Sequence, residues 1–290
     1  MTAPSSSPVP TISNPQVLAL LRAKARKRAL LILVAVLFAA LVMALPVVAI
    51  FTRAFAEGLA IYAANITTPD TLHAIWLTVL TALIVLPINL AYGIAVSWAI
   101  VHYRFPGRRA LQTIIELPFS ISPIVAGLCY LLIYGAMGFV GSWLDGWNIQ
   151  LMFNLTGIVL VSLFVTCPFV ARELIPLMEI SGRDQEEAAL TLGATGWQTF
   201  RHVTLPKIKW ALLYGAILAN ARVIGEFGAV SVVSGNIRGE TMTLPLQVQL
   251  LYDDYNPTGA FAAATVLTVI AVITLILRSA IEARHPHQNA

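Results

Sequence analysis

The sequence predicts an all-α integral membrane protein of six transmembrane helices, with both termini in the cytoplasm, and three observations carry that prediction. Hydrophobic residues make up 58% of the chain and charged residues only 11%, with a mean hydropathy of +0.80. Charged residues average about a quarter of a soluble domain, so composition alone favours a membrane class. Apolar runs long enough to cross a ~30 Å hydrocarbon core recur six times along the chain. Finally, the basic residues gather in alternate connections between those runs. The net charge of +4 therefore reads as a determinant of topology rather than as a surface for nucleic acid.

Residues 1–28 are expected to form a tail, first disordered because it is rich in Pro, Ser and Thr, then basic through Arg22, Lys24, Arg26, Lys27 and Arg28. The apolar stretch 29–51 superficially resembles a signal peptide. It exceeds the roughly 7–15 apolar residues of a cleavable signal, so it reads as an uncleaved first span. Further spans are expected at 72–101, 110–140, 152–175, 210–233 and 260–277, which places a six-span domain over 29–278 and a second cytoplasmic tail over 279–290. Pro46, Pro87, Pro118, Pro123 and Pro168 fall within spans. Prolines are tolerated there when neighbouring helices satisfy the freed backbone groups, so a bent, packed bundle is expected. Cys129 and Cys167 also lie inside spans. They read as reduced core thiols, with no metal-ligand spacing and no disulfide framework.

Orientation follows from the connections. The N-terminal flank, the second-to-third connection (Arg104, Arg108, Arg109), the fourth-to-fifth connection (Arg172, Arg183, Arg201, Lys207, Lys209) and the C-terminal tail (Arg278, Arg284) hold all but Arg53, Arg222 and Arg238 of the 18 basic residues. Lys and Arg flank spans on the cytoplasmic side, so both termini and the long fourth-to-fifth connection are expected there. On the opposite side, Trp143 and Trp147 suit an interfacial turn. The stretch 235–257, with Arg238, Glu240, Asp253 and Asp254, admits two readings: a surface where a solute-binding protein docks, or an inert external loop.

The fourth-to-fifth connection contains the most informative segment, DQEEAALTLGATGWQTFRHVTLP over 184–206. It reads as two short helices. Asp184 is expected to cap the first, with Glu187 three residues on, and Gly193 to end it in a left-handed conformation. Thr195 with Gln198 repeats the capping pattern, and Pro206 is expected to stop the second helix. Glu187-Ala188-Ala189, then Gly193, then Val203-Thr204-Leu205-Pro206 resembles the EAA loop of bacterial ABC importer permeases. Val203 stands where the consensus often has isoleucine. The resemblance implies the MetI-like ABC importer permease fold. It further implies that Glu187, Ala188, Ala189, Gly193, Ala194, Leu205 and Pro206 couple this chain to a cytoplasmic ABC ATPase dimer, the small residues letting the helix seat closely in a groove of that partner.

Ionisable groups within a span are functional candidates because they are costly there. Arg222 and Glu226 lie four apart in the fifth span, so they share a helix face and can pair. A structural pair locking helix packing or the dimer interface is the favoured reading, and an anion path lent positive potential by Arg222 and tuned by Glu226 is the alternative. ELPFSISPIVAG over 116–127 holds two prolines within six residues, with Ser120 and Ser122 between them. Unwound backbone at membrane depth either lines a cavity or is buried in protein, so these serines are candidates for the translocation path, with a packing kink as the alternative. Glu116 is expected to stay near the cytoplasmic interface.

Four stretches narrow the resemblance to permeases of sulfate/thiosulfate importers. They are LHAIWLTV, ELPFSISPIVAGL, FVTCPFVARELIP and NARVIGEFGAVSVVSGNIRGETMTLPLQVQLLYDDYN. Within that group the chain looks closest to the W-type permease, which the family pairs with a second, homologous permease subunit. Molybdate and tungstate permeases share the GEFGA segment and much of the EAA loop, so they remain the alternative. The resemblance implies a periplasmic sulfate/thiosulfate-binding protein as a further partner. ATP and Mg would be bound by the partner ATPase subunits, with no cofactor on this chain. Consistent with that division, the chain has no Gly-x-x-x-x-Gly-Lys-Ser/Thr, no His-Glu-x-x-His and no Gly-x-Ser-x-Gly. Its five histidines are scattered and none is assigned a ligand role. An ion-coupled secondary transporter is the remote alternative, since no internal repeat is visible and the intramembrane charges form one compensated pair.

Overall fold

The protein is represented by a computed structural model that describes residues 15–284. The expected disorder of the first residues falls on 1–14, and the end of the C-terminal tail on 285–290; both lie outside the described residues. The chain divides into two units, Met1–Thr52 and Arg53–Ala290. The first consists of all but the end of α1 (Pro15–Ala54), a 40-residue helix. It starts well before the expected span, because the Ala, Lys, Arg and Leu residues of the basic run are strong helix formers. Its apolar side chains from Leu30 to Leu45 are exposed, as a lipid-facing helix requires.

The second unit is a helical bundle built around two long helices, α3 (Pro69–His102) and α7 (Leu155–Ser181), with α2 (Leu59–Ile66) preceding them. Pro69 sits in the first turn of α3, where its missing N–H costs nothing, and Asp70 complements the dipole there. Asn154 caps α7, accepting from the Gly157 amide at 3.2 Å. Buried polar bonds join the two long helices. Asn89 Nδ2 donates to Thr166 Oγ1 at 2.6 Å, and Thr166 donates in turn to the Ser162 carbonyl.

Close approach matters more than apolar mass here, since lipid tails are as apolar as the helices and association depends on packing. Glycines supply it on both sides of Val170. A Cβ on Gly93 of α3 would lie 2.6 Å from Val170 Cβ, and one on Gly215 would lie 3.1 Å from Val170 Cα. Gly93→Ala is therefore expected to destabilise the bundle by about 1–3 kcal/mol through overpacking. Val170→Ala in the same chain removes the γ carbons but keeps the Cβ at 2.6 Å, so it should recover only part of that loss in a detergent melting curve.

The other spans depart from the single helices expected. Among the described residues, four helices are long and apolar enough to cross a membrane, and a fifth span arises if one bent pair is taken as one crossing. The pair is α4 (Arg108–Ser120) and α5 (Pro123–Tyr134), bent by 109° at the serine–proline stretch. A short helix, α6 (Gly141–Asp145), follows, carrying Trp143, whose ring lies 6.1 Å from that of Trp147. The expected fifth span, 210–233, is likewise not one helix. The loop helices α8 (Asp184–Thr191) and α9 (Gly196–Thr199) lead into α10 (Leu205–Ile224), which ends at Gly225, and α11 (Gly228–Val233) follows the break. Lys207, Lys209 and Arg222 all lie on α10, which is why length and apolarity alone do not make it a span. Helix α12 (Leu244–Asp253) forms within the expected external loop, and α13 (Pro257–Arg284) follows it. The last helix continues through 279–284, where a tail was expected. Cys167 is partly buried, but Cys129 is exposed on α5, not in the core.

Candidate functional site

Two regions position the sequence-predicted residues. The first is the pair of helix breaks, one between α4 and α5 and one between α10 and α11. Ile121 is extended, Ser122 occupies the N-cap position of α5 without a side-chain cap bond, and Pro123 starts the helix. Ser120 and Ser122 are both exposed. On the other chain segment, Glu226 is only 2% exposed. Its Oε1 accepts from the Ala229 amide at 2.9 Å and its Oε2 meets Arg222 Nη1 at 2.5 Å. The carboxylate thus ties the end of α10 to the start of α11. The two breaks pack together, since a Cβ on Gly228 would lie 3.3 Å from Pro123 Cβ and one on Gly127 would lie 2.8 Å from the Ala229 carbonyl oxygen. The serine break and the Arg222–Glu226 break therefore share one region, although no hydrogen bond joins the serines to the ion pair among the described residues.

The second region is the 184–206 loop. Its second helix forms as expected: Thr195 Oγ1 accepts from the Gln198 amide and Gln198 Oε1 accepts from the Thr195 amide, a reciprocal capping box. Gly193 has φ +88°, and the Ala194 amide reaches back to the Ala189 carbonyl at 3.0 Å, closing α8 with a left-handed residue. Two expectations need correction. Asp184 is the first residue of α8, not its cap. Gly182, at φ +63°, turns the chain so that the Arg183 carbonyl accepts the first helical bond from Glu187 N at 2.9 Å. Asp184, Glu186 and Glu187 then all lie in the first turn, where carboxylates offset the helix dipole. Pro206 does not stop a helix either. A π-helical turn, Phe200–Thr204, runs directly into α10, and Pro206 sits in the first turn of α10, where its missing N–H leaves no bond unmade.

The loop is fastened to the bundle by residues that sequence reasoning passed over. Glu186, not Glu187, is the buried carboxylate, at 7% exposure. Its Oε2 lies 2.6 Å from His102 Nε2 at the end of α3, and its Oε1 accepts from Thr204 Oγ1 at 2.6 Å. His102, earlier assigned no role, stacks on Trp98 with ring centroids 4.0 Å apart, and Phe200 meets the same indole edge-on. Arg183 donates to the Val101 carbonyl at 2.5 Å, and Lys207 donates to the carbonyls of Ser181 and Gly182. The only sequence signal for Glu186 is the doubled glutamate, which does not say which of the two turns inward. Glu187, Ala188 and Pro206 are exposed, Ala189, Ala194 and Leu205 partly buried. Beside them stand exposed apolar side chains, Leu192 at 89% and Trp197 at 68%.

Comparison with known proteins follows the same lines. The family described as binding-protein-dependent transport system inner membrane component matches residues 91–285. The chain is 55% identical over 259 residues to the sulfate transport system permease protein CysW of Escherichia coli strain K12, covering 89% of each chain. It is 48% identical to the protein of the same name from Synechocystis, covering 90% of this chain and 95% of that one. The sulfate transport system permease protein CysT of Escherichia coli is 34% identical, with 86% and 90% covered. The fold is shared with a bacterial ABC transporter involved in alginate import, at 18% identity and a TM-score of 0.76 over 92% of this chain and 99% of that one. This chain belongs to the binding-protein-dependent transport system inner membrane components, alongside the sulfate transport system permease proteins.

Proposed function

We propose that this protein is the permease subunit of an ATP-driven importer that carries sulfate, and with it thiosulfate, across the bacterial inner membrane. The single observation that carries the substrate is the 55% identity to a sulfate transport permease over 89% of both chains. The chain has no catalytic site of its own. A cytoplasmic ABC ATPase dimer, which holds ATP and Mg, docks on the loop 184–206 through Glu187, Ala188, Ala189, Gly193, Ala194, Leu205 and Pro206. Exposed Leu192 and Trp197 supply apolar anchor area beside them. Because α8 is fastened to α3 through Glu186 and His102, displacement of the docked loop moves the bundle with it. A second, homologous permease completes the translocation path, and a periplasmic sulfate/thiosulfate-binding protein delivers the anion from the opposite face. In this reading the Lys/Arg-rich side of the protein, with both termini, faces the cytoplasm.

Along the path, Ser120 and Ser122 offer neutral hydroxyls and Arg222 a positive potential, with Glu226 keeping that potential moderate. Weak, multiple contacts suit conduction, since a tightly held anion would not leave. Radiolabelled sulfate uptake in cells lacking only this chain tests the reading. Uptake should vanish on deletion and return on restoration, and thiosulfate should compete at much lower concentration than molybdate. Sulfate uptake untouched by the deletion, with molybdate accumulation falling, would move the chain to the molybdate and tungstate carriers.

A further inference from the structure

Between α4 and α7 lies a half-open cavity of about 620 Å³ that the transport reading leaves unused. It lies on the loop side of the bundle, because Arg108, at the start of α4, pairs with Glu179 near the end of α7 at 2.9 Å. Its polar lining comes from Arg109, Gln112, Thr113 and Glu116 of α4 and Arg172 of α7. Arg108 is neutralised by its glutamate. Arg109 and Arg172 have no carboxylate partner among the described residues.

Arg172 is nonetheless held in place. Its guanidinium stands 5.3 Å from the centroid of the Phe119 ring, which in turn meets Phe169 edge-on at 5.0 Å. Such stacking leaves the in-plane N–H donors of Arg172 available for a planar or tetrahedral oxyanion. Gln112 adds an amide donor, whereas the Thr113 hydroxyl is engaged with the Arg109 carbonyl at 3.1 Å. Pro168 and Pro176, also in the lining, lie within α7 along this wall. Glu116 leaves the lining one positive charge in excess, which attracts an anion without trapping it.

We propose that this cavity binds a tetrahedral oxyanion through Arg109 and Arg172, either free sulfate on the loop side of the permease or the phosphate of a lipid headgroup. Naming sulfate rests on the transport reading; the oxyanion class rests on the arginines alone. Two unpaired arginines in a pocket between spans suit either source, since basic pockets between helices on the cytoplasmic side also take anionic headgroups.

The test uses the purified permease complex in nanodiscs, with radiolabelled sulfate as the probe in equilibrium dialysis and no external binding protein. In phosphatidylcholine discs, saturable sulfate binding is expected, weakened roughly tenfold each by Arg109→Gln and Arg172→Gln. Arg172→Lys should restore part of it. If phosphatidylglycerol in the discs displaces the sulfate, and native mass spectrometry finds one such lipid retained by the wild type but not by the arginine variants, the headgroup phosphate is the occupant of the same site. An isotherm unmoved by either substitution, with lipid retention also unmoved, overturns the proposal. Arg109 is exposed near the start of α4, so Arg109→Gln carries the test even if Arg172→Gln fails to assemble. Failure here leaves uptake by cells untouched, while failure of uptake in the restored strain sinks the transport reading whatever the isotherm shows.

Discussion

Arg222→Ala should lower the stability of the protein by about 3–5 kcal/mol, because it leaves the Glu226 carboxylate buried without its cation. The loss is measurable as a drop in melting temperature in detergent or nanodiscs. The carboxylate has a second task, accepting the Ala229 amide that begins α11, so Glu226→Ala would remove the cap as well as the charge. The informative partner is therefore Glu226→Gln, whose amide oxygen can keep that bond while the charge goes. The double variant Arg222→Met with Glu226→Gln should regain most of the lost stability, since no unpaired charge is left. Uptake then separates the two roles of Arg222. If transport returns with stability, the pair only fastens the break between α10 and α11. If the double variant is stable and silent, the arginine acts on the anion. A single Arg222→Ala variant that melts with the wild type would refute the burial argument itself.

Glu186→Ala should uncouple the loop. Its carboxylate joins the end of α3, through His102, to the π-helical turn ahead of α10, through Thr204. Without it, buried Thr204 and part-buried His102 lose their bonds, at a cost of about 1–3 kcal/mol. The expected result is a permease that inserts and retains its ATPase, hydrolyses ATP, and imports the anion at least about tenfold more slowly than wild type. Glu186→Gln should recover part of the rate, because an amide can still accept from Thr204 and donate to His102. Leu192→Ser, on the exposed side of the loop, should behave differently, weakening ATPase retention while the loop stays fastened. Wild-type coupling in Glu186→Ala would show that the buried bonds do not transmit motion.

Contrasts between particular residues show what was legible beforehand. The capping box of Thr195 and Gln198 and the left-handed Gly193 were readable, because each depends on residues within four positions. The cap assigned to Asp184 failed because Gly182, two residues before the pattern, redirects the chain so that Arg183 takes the flanking position. Pro206 was read as a stop because proline breaks α-helices. The preceding π-helical turn had already altered the bonding pattern, and that is not a property of composition. The fifth apolar run was read as one span, yet Gly225 to Phe227 divides it, and the division is stabilised by a side chain on the run itself, Glu226.

Local chemistry in the sequence thus determined the class of the molecule: apolar runs that must be helical in lipid, basic residues alternating between connections, and the spacing of the loop that carries the family resemblance. Only the tertiary structure decided which of two adjacent glutamates is buried, that His102 receives it, that the serine break packs beside the Arg222–Glu226 break, and that Arg109 and Arg172 face one cavity. The physical reason is range. Helix formation and capping are set by hydrogen bonds a few residues long, whereas His102 and Glu186 lie 84 positions apart. Their meeting depends on how α3 and α7 pack, and that depends on the close approach at Gly93 and Val170.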